Sequence, residues 1–137
     1  MARPRSTGLT DAELRVMNVL WDRGRATVGD VVGSIAGSRK PAYNTALTIL
    51  RILERKGYVG HEREGRAFAF VPLVERGEER RRALSQMLSR FFDNSPLALV
   101  SDLLGHEDID PEELRRVREL IDNVPADPEP HGPRGLR

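Results

Sequence analysis

The chain contains no cysteine, which excludes disulfides, thiolate metal sites and cysteine nucleophiles together. No stretch approaches the roughly 18 consecutive apolar residues of a spanning helix. The opening Met1-Ala2-Arg3-Pro4-Arg5-Ser6 is basic but has no apolar run behind it, so it does not read as a signal peptide. A soluble cytoplasmic protein with no membrane insertion is expected. Histidine is scarce too: His61, His106 and His131 are scattered, and none has a second histidine at i+3 or i+4. A phosphate-cradling Gly-rich loop is missing. The paired acids Glu78-Glu79 and Glu112-Glu113 stand at helix starts, where the helix dipole accounts for them. No metal site, no cofactor and no enzyme are expected.

Net charge is also small, +1 over 137 residues, but it is unevenly spread. Residues 1–74 carry twelve Lys and Arg against seven acids, a net +5; residues 75–137 carry ten against fourteen, a net −4. A basic front half and an acidic back half imply that only the front meets a polyanion.

What is present is a well-punctuated series of helices. Thr10-Asp11-Ala12-Glu13 fits a capping box, with Leu9 and Leu14 placed as a hydrophobic staple. Val16, Met17, Leu20 and Trp21 continue the apolar stripe to a stop at Gly24. Thr27-Val28-Gly29-Asp30 is a second box, opening a short helix that ends at Gly37-Ser38. Pro41 suits the first turn of a third helix over about 41–56, capped by Gly57. Two β-like runs, Tyr58 to Arg63 and Arg66 to Val71, flank Glu64-Gly65, with Phe68 and Phe70 sharing one face. Pro72 marks the end or an edge. Helix, short helix, turn, helix, hairpin is the layout of a winged helix-turn-helix, with the hairpin as wing.

The third helix divides into two sides. Ala46, Ile49, Leu50 and Leu53 form an inward stripe, while Asn44, Thr45, Thr48, Arg51 and Arg55 cluster elsewhere. A recognition helix needs short polar groups near its start to reach base edges and guanidinium groups to hold phosphates. Arg39 and Lys40 flank that start, where the helix N-terminus also favours a phosphate. Tyr43 either offers its hydroxyl to a phosphate or packs beneath the helix. On the wing, Arg63 and Arg66 bracket the tip and can reach backbone or minor groove, although Glu62 and Glu64 lie close to them. A merely solvated helix face fits the same spacing; the hairpin that follows favours DNA.

The back half is helical. Leu84, Met87, Leu88 and Phe91 recur at helical spacing after the charged start Glu75 to Arg82. Ser95-Pro96 reads as an N-cap with proline at N1 before Leu97, Leu99, Val100, Leu103 and Leu104, and Asp110-Pro111 repeats the device before Leu114, Val117, Leu120 and Ile121. These helices are too small to bury their apolar faces alone, so residues 75–123 are expected to be a dimerisation arm. The fold expected is mainly α with a small β-hairpin wing: a flexible basic N-terminus over 1–8, the DNA-binding domain over 9–74, the arm, and a disordered tail over 124–137, where four prolines fall in 14 residues.

Several stretches together resemble one known family, the penicillinase repressor (BlaI/MecI) transcriptional regulators. They are Leu9-Thr10-Asp11-Ala12-Glu13 with Val16-Met17 and Leu20-Trp21; Ala26-Thr27-Val28; Ala42-Tyr43-Asn44-Thr45 with Leu47-Thr48; Lys56-Gly57-Tyr58; Gly65-Arg66-Ala67-Phe68 with Pro72-Leu73-Val74; and Arg90-Phe91-Phe92-Asp93. The likeness spans about residues 8–122. It implies a dimeric repressor that binds dyad operators with TACA/TGTA-like half-sites, with contacts from Tyr43, Asn44, Thr45, Thr48 and the wing's Arg66. It also implies relief by proteolysis of the arm through a membrane sensor-protease pathway. Where the best-known members carry an Asn–Phe pair at the cut, this chain has Asp102-Leu103. A copper-responsive branch uses a C-terminal cysteine cluster that this chain lacks. The alternative class is a winged domain used only for protein–protein contact, since fold does not fix function; a metal-dependent enzyme stands third.

Overall fold

In the computed structural model of the protein, which describes residues 8–37, 40–106 and 108–125, Thr10 opens helix α1 (Asp11–Arg23). Its hydroxyl accepts the Glu13 amide at 3.1 Å, and its own amide donates to the Glu13 carboxylate at 2.9 Å. This reciprocal pairing satisfies two amides that a helix start otherwise leaves without partners. Gly24, at φ 88°, closes the helix by donating to the Leu20 carbonyl. Strand β1 (Ala26–Thr27) follows, and Thr27 has two roles. It pairs with Ala69 in the sheet, and its side chain accepts the Asp30 amide to start α2 (Val28–Ser34).

Helix α3 (Tyr43–Lys56) ends at Gly57, whose left-handed φ of 91° returns the chain toward the sheet. Strands β2 (Val59–Glu64) and β3 (Ala67–Pro72) form an antiparallel hairpin, and the sheet order is β1-β3-β2. Pro72 ends β3 opposite Val59. The core lies between this sheet and the three helices. Met17 and Leu20 of α1, Val31 of α2, Leu50 and Leu53 of α3, and Tyr58 are all fully buried. A Leu wholly removed from water contributes about 1.5–3 kcal/mol, so Leu50 and Leu53 fix which face of α3 points inward. The architecture is a winged helix-turn-helix.

Four expectations need correction. Helix α2 stops at Ser34, with Ile35 extended after it (φ −104°, ψ 125°), not at Gly37-Ser38. The third helix starts at Tyr43, not near 41: Ala42 is extended (φ −69°, ψ 160°) and its carbonyl accepts the first helical bond, from Ala46. Lys40 and Ala42 are exposed and Pro41 is only half-buried, while the first buried residue of the helix is Ala46. Packing therefore sets the start two residues later than proline's preference alone suggests. The wing is not a lone hairpin, because β1 adds a third strand; two residues are too few to show a period. Gly8 is no part of a flexible terminus: it is buried, and its carbonyl accepts from Lys56 at 3.1 Å.

Beyond Val74 the chain forms α4 (Arg76–Phe91), α5 (Pro96–His106) and α6 (Pro111–Asp122). Glu79 is the one residue of these three helices to be buried. Ser95 caps α5 as expected, accepting from Ala98 at 3.0 Å, whereas Asp110 makes no side-chain cap on α6. The turn after α4 places Asp93 and Asn94 at φ 52° and 59°, a conformation these two residue types tolerate better than most. From the expected tail, Val124 and Pro125 follow α6; residues 126–137, with His131, lie outside the described residues.

Candidate nucleic-acid interface

Because Ala46, Leu50 and Leu53 turn α3 inward, its opposite side is presented to solvent. Tyr43, Asn44, Thr45, Thr48, Arg51 and Arg55 are all exposed there, which is the partition expected from sequence. Tyr43 therefore does not pack beneath the helix. Lys40 is exposed just before the helix, while Arg39 lies outside the described residues. Among the described residues neither Lys40 nor Arg51 has an acidic partner, so both cations are available to an external anion. Amides at the start of α3 also lack a side-chain cap, since Ala42 cannot supply one. They leave donors pointing outward where the helix dipole favours a phosphate.

Two ties hold the wing, one to α3 and one to the segment between α1 and β1. His61 of β2 pairs with Glu54 of α3 at 2.8 Å. Arg25, between α1 and β1, reaches both Glu62 and Glu64 at 2.9 Å. The strand register explains the geometry. His61 faces Phe70 and Arg63 faces Phe68, while Glu62 faces Ala69 and Glu64 faces Ala67. Aromatic and cationic groups thus share one side of the hairpin, and the acids share the other. Arg63 lies over the Phe68 ring at 5.4 Å, and Arg66 is exposed at the tip with no acidic partner among the described residues.

Arg25 changes the electrostatic character of the wing. The two acids that stood to repel a phosphate are both engaged by one guanidinium, so the unpaired charge at the tip is positive. Sequence reading missed Arg25, Glu54 and His61 because pairs 39 or 7 residues apart carry no periodic signal.

A second cluster anchors α3 and the start of β2 from behind. Lys56, in the last turn of α3, donates to both Glu13 oxygens at 2.8 and 3.1 Å. Tyr58 donates its hydroxyl to Glu79 of α4 at 3.1 Å, and Arg82 grips the same carboxylate at 3.1 and 2.9 Å. Glu79 is only 7% exposed; its hydrogen bonds and charge hold the Arg82 guanidinium protonated more firmly than usual. A buried carboxylate is tolerable only when paired in this way.

The residues expected in the arm have a different setting. Leu84, Met87, Phe91, Val100, Leu103, Leu104, Val117, Leu120 and Ile121 are exposed, and Leu88, Leu99 and Leu114 are half-buried. Asp102 and Leu103 sit within α5, where the Asp102 carboxylate is paired with His106 at 3.0 Å. No helix among the described residues is long and apolar enough to cross a membrane.

Residues 9–123 match the family described as Penicillinase repressor. A penicillinase repressor from Bacillus licheniformis is 25% identical over 114 residues, covering 83% of this chain and 89% of the relative. The methicillin resistance regulatory protein MecI of Mammaliicoccus sciuri is 21% identical over 113 residues, covering 82% and 92%. Among solved structures, the DNA-binding domain of the repressor BlaI is 28% identical, with a TM-score of 0.48, covering 57% of this chain and 93% of that one.

Proposed function

The chain belongs to the penicillinase repressor family of DNA-binding transcriptional repressors, and from that premise we propose that it represses as a homodimer on a dyad-symmetric operator. Each copy lays the exposed face of α3 in the major groove, with Asn44, Thr45 and Thr48 at base edges. Lys40, Tyr43 and Arg51 contact phosphates, and Arg63 and Arg66 of the wing contact the adjoining backbone or minor groove. The observation that carries this reading is the solvent-facing side of α3, polar at its start and cationic along its length, with no acid facing Lys40 or Arg51 among the described residues.

Pairing of copies is supported by the arm. Phe91, Leu97 and Leu120 are 68%, 79% and 71% exposed in a single chain, more large apolar surface than a solitary helical arm keeps in water. A second arm covers it, and two modules on one dyad add their base contacts while losing overall freedom only once. Relief follows from severing the arm at Asp102-Leu103, which lies in the exposed α5 and separates α6 from the winged domain. A membrane sensor-protease pathway that responds to β-lactams, as the family resemblance implies, is the proposed route.

The test is a titration of the purified protein onto a labelled duplex with TACA/TGTA-like half-sites on a dyad, beside a scrambled duplex, at two salt concentrations. Tight binding that prefers the dyad and weakens steeply with salt is expected. Weak, equal binding to both duplexes, insensitive to salt, would refute the reading and favour a protein-interaction role.

A further inference from the structure

Between α1 and α4 lies a cavity of about 540 Å³, within the range of small-molecule sites. Its apolar lining comes from Leu9, Leu14, Trp21, Met87 and Phe91. The walls are held within one chain: the Trp21 indole donates to the Val74 carbonyl at 2.9 Å, and Glu79 binds α4 to Tyr58. No second copy is needed to form it.

Its charged lining is strongly one-sided. Arg76, Arg80, Arg82 and Arg90 contribute to it, against the single carboxylate of Glu79. Two of these cations are already neutralised: Arg76 pairs with Asp22 at 2.8 Å, and Arg82 with Glu79 at 2.9 Å. Arg80 and Arg90 have no acidic partner among the described residues; Arg90 lies over the Phe91 ring at 5.2 Å. Apolar walls beside unpaired guanidinium groups match a ligand with an apolar body and one anionic head, and a planar carboxylate suits the guanidinium fork best.

We propose that the α1–α4 cavity is a binding site for small apolar carboxylates, with Leu14, Trp21 and Met87 holding the hydrocarbon body and Arg80 and Arg90 the carboxylate. The cavity shares Glu79 and Arg82 with the anchor that joins the arm to the winged domain, so the ligand sits against the joint between them. Phe91, on the cavity's rim, also belongs to the surface that the proposed dimer covers, and the site is tested without DNA.

Trp21 is the only tryptophan in the chain, so its fluorescence reports directly on the cavity. Hydrocinnamate is titrated into the full chain, with neutral hydrocinnamamide as comparison. The expected result is a saturable change in Trp21 emission by the acid and about tenfold weaker binding of the amide. The R80A/R90A double variant should lose about tenfold in affinity for the acid while melting as the parent does. Arg81, on the same helix but outside the cavity lining, supplies the control: R81A should bind as the parent. No saturable change, equal binding of acid and amide, or undiminished binding by R80A/R90A would overturn the proposal. Emission that follows protein concentration and ignores the acid would also overturn it, assigning the cavity to a second copy.

Discussion

Thr48 and Arg66 are both exposed on the proposed DNA surface, yet their side chains differ in what they can tell apart. In the proposed complex the Thr48 hydroxyl meets a base edge, so T48A should lower the ratio of specific to nonspecific affinity by roughly fivefold, about 1 kcal/mol, while self-association is unchanged. In the same proposal the Arg66 guanidinium at the wing tip meets the phosphate backbone, which carries no sequence information. R66A should therefore weaken binding to every duplex alike and reduce the salt slope by about 1. Competition titrations over a salt series separate the two, and an unchanged slope in R66A would remove Arg66 from the phosphate contacts. Gly8 makes a different kind of prediction. At φ 70°, a Cβ there meets the Arg82 guanidinium at 2.5 Å, and Arg82 is not free to move because Glu79 holds it. G8A should cost about 1–2 kcal/mol in chemical denaturation; a variant as stable as the parent would show that Arg82 gives way without loss.

At the scale of elements, the starts of α1 and α2 were legible because their signals are local. Thr10 with Glu13, and Thr27 with Asp30, are three residues apart, and both boxes form. The second box has a pH signature. The Thr27 amide, with the Thr27 hydroxyl and Arg23 assisting, holds the Asp30 carboxyl below its ordinary value of 3.8. A carboxyl whose folded-state value is lowered adds stability at pH above the ordinary value, and that stability fades as pH falls through the lowered one. The stability gap between the parent and D30A, measured by urea denaturation, should thus be constant near neutrality and narrow below about pH 3.8. A gap that stays constant into acid would rule out the charged form as its source. By contrast, β1 was invisible because two residues show no period, and the start of α3 was misjudged because Pro41 favours a first turn that the packing of Ala46 does not require. The ties Arg25 to Glu62 and Glu64, Lys56 to Glu13, and Tyr58 to Glu79 were equally hidden. Each joins residues 21 or more positions apart, and nothing in the spacing of charges along a chain says which of them meet.

For the whole molecule, the asymmetry visible in sequence corresponds to a physical one. The winged domain has a closed core, whereas α5 and α6 have no buried residue. The exposed side of α3 was legible because a helix packed by Ala46, Leu50 and Leu53 has only one other side to offer. The arm's partner is not encoded in any local pattern, since a stripe such as Leu114, Val117 and Ile121 looks the same whether a second chain or the same chain covers it. L120D places a charge where the proposed dimer is dry and should weaken self-association by roughly tenfold or more. The winged domain should still fold, because Leu120 is outside its core. Sedimentation at several concentrations checks this, and a dimer of undiminished strength would take α6 out of the interface.

An arm with no core of its own also affects how long the protein survives. Helices that gain burial only in company open often when alone, and open segments are what proteases cut. With the proposed dimer, unpaired copies are cleared while paired copies persist, so abundance rises more steeply than synthesis. A cell that slows production slightly would then lose repression abruptly, a threshold set by turnover, without any inducer.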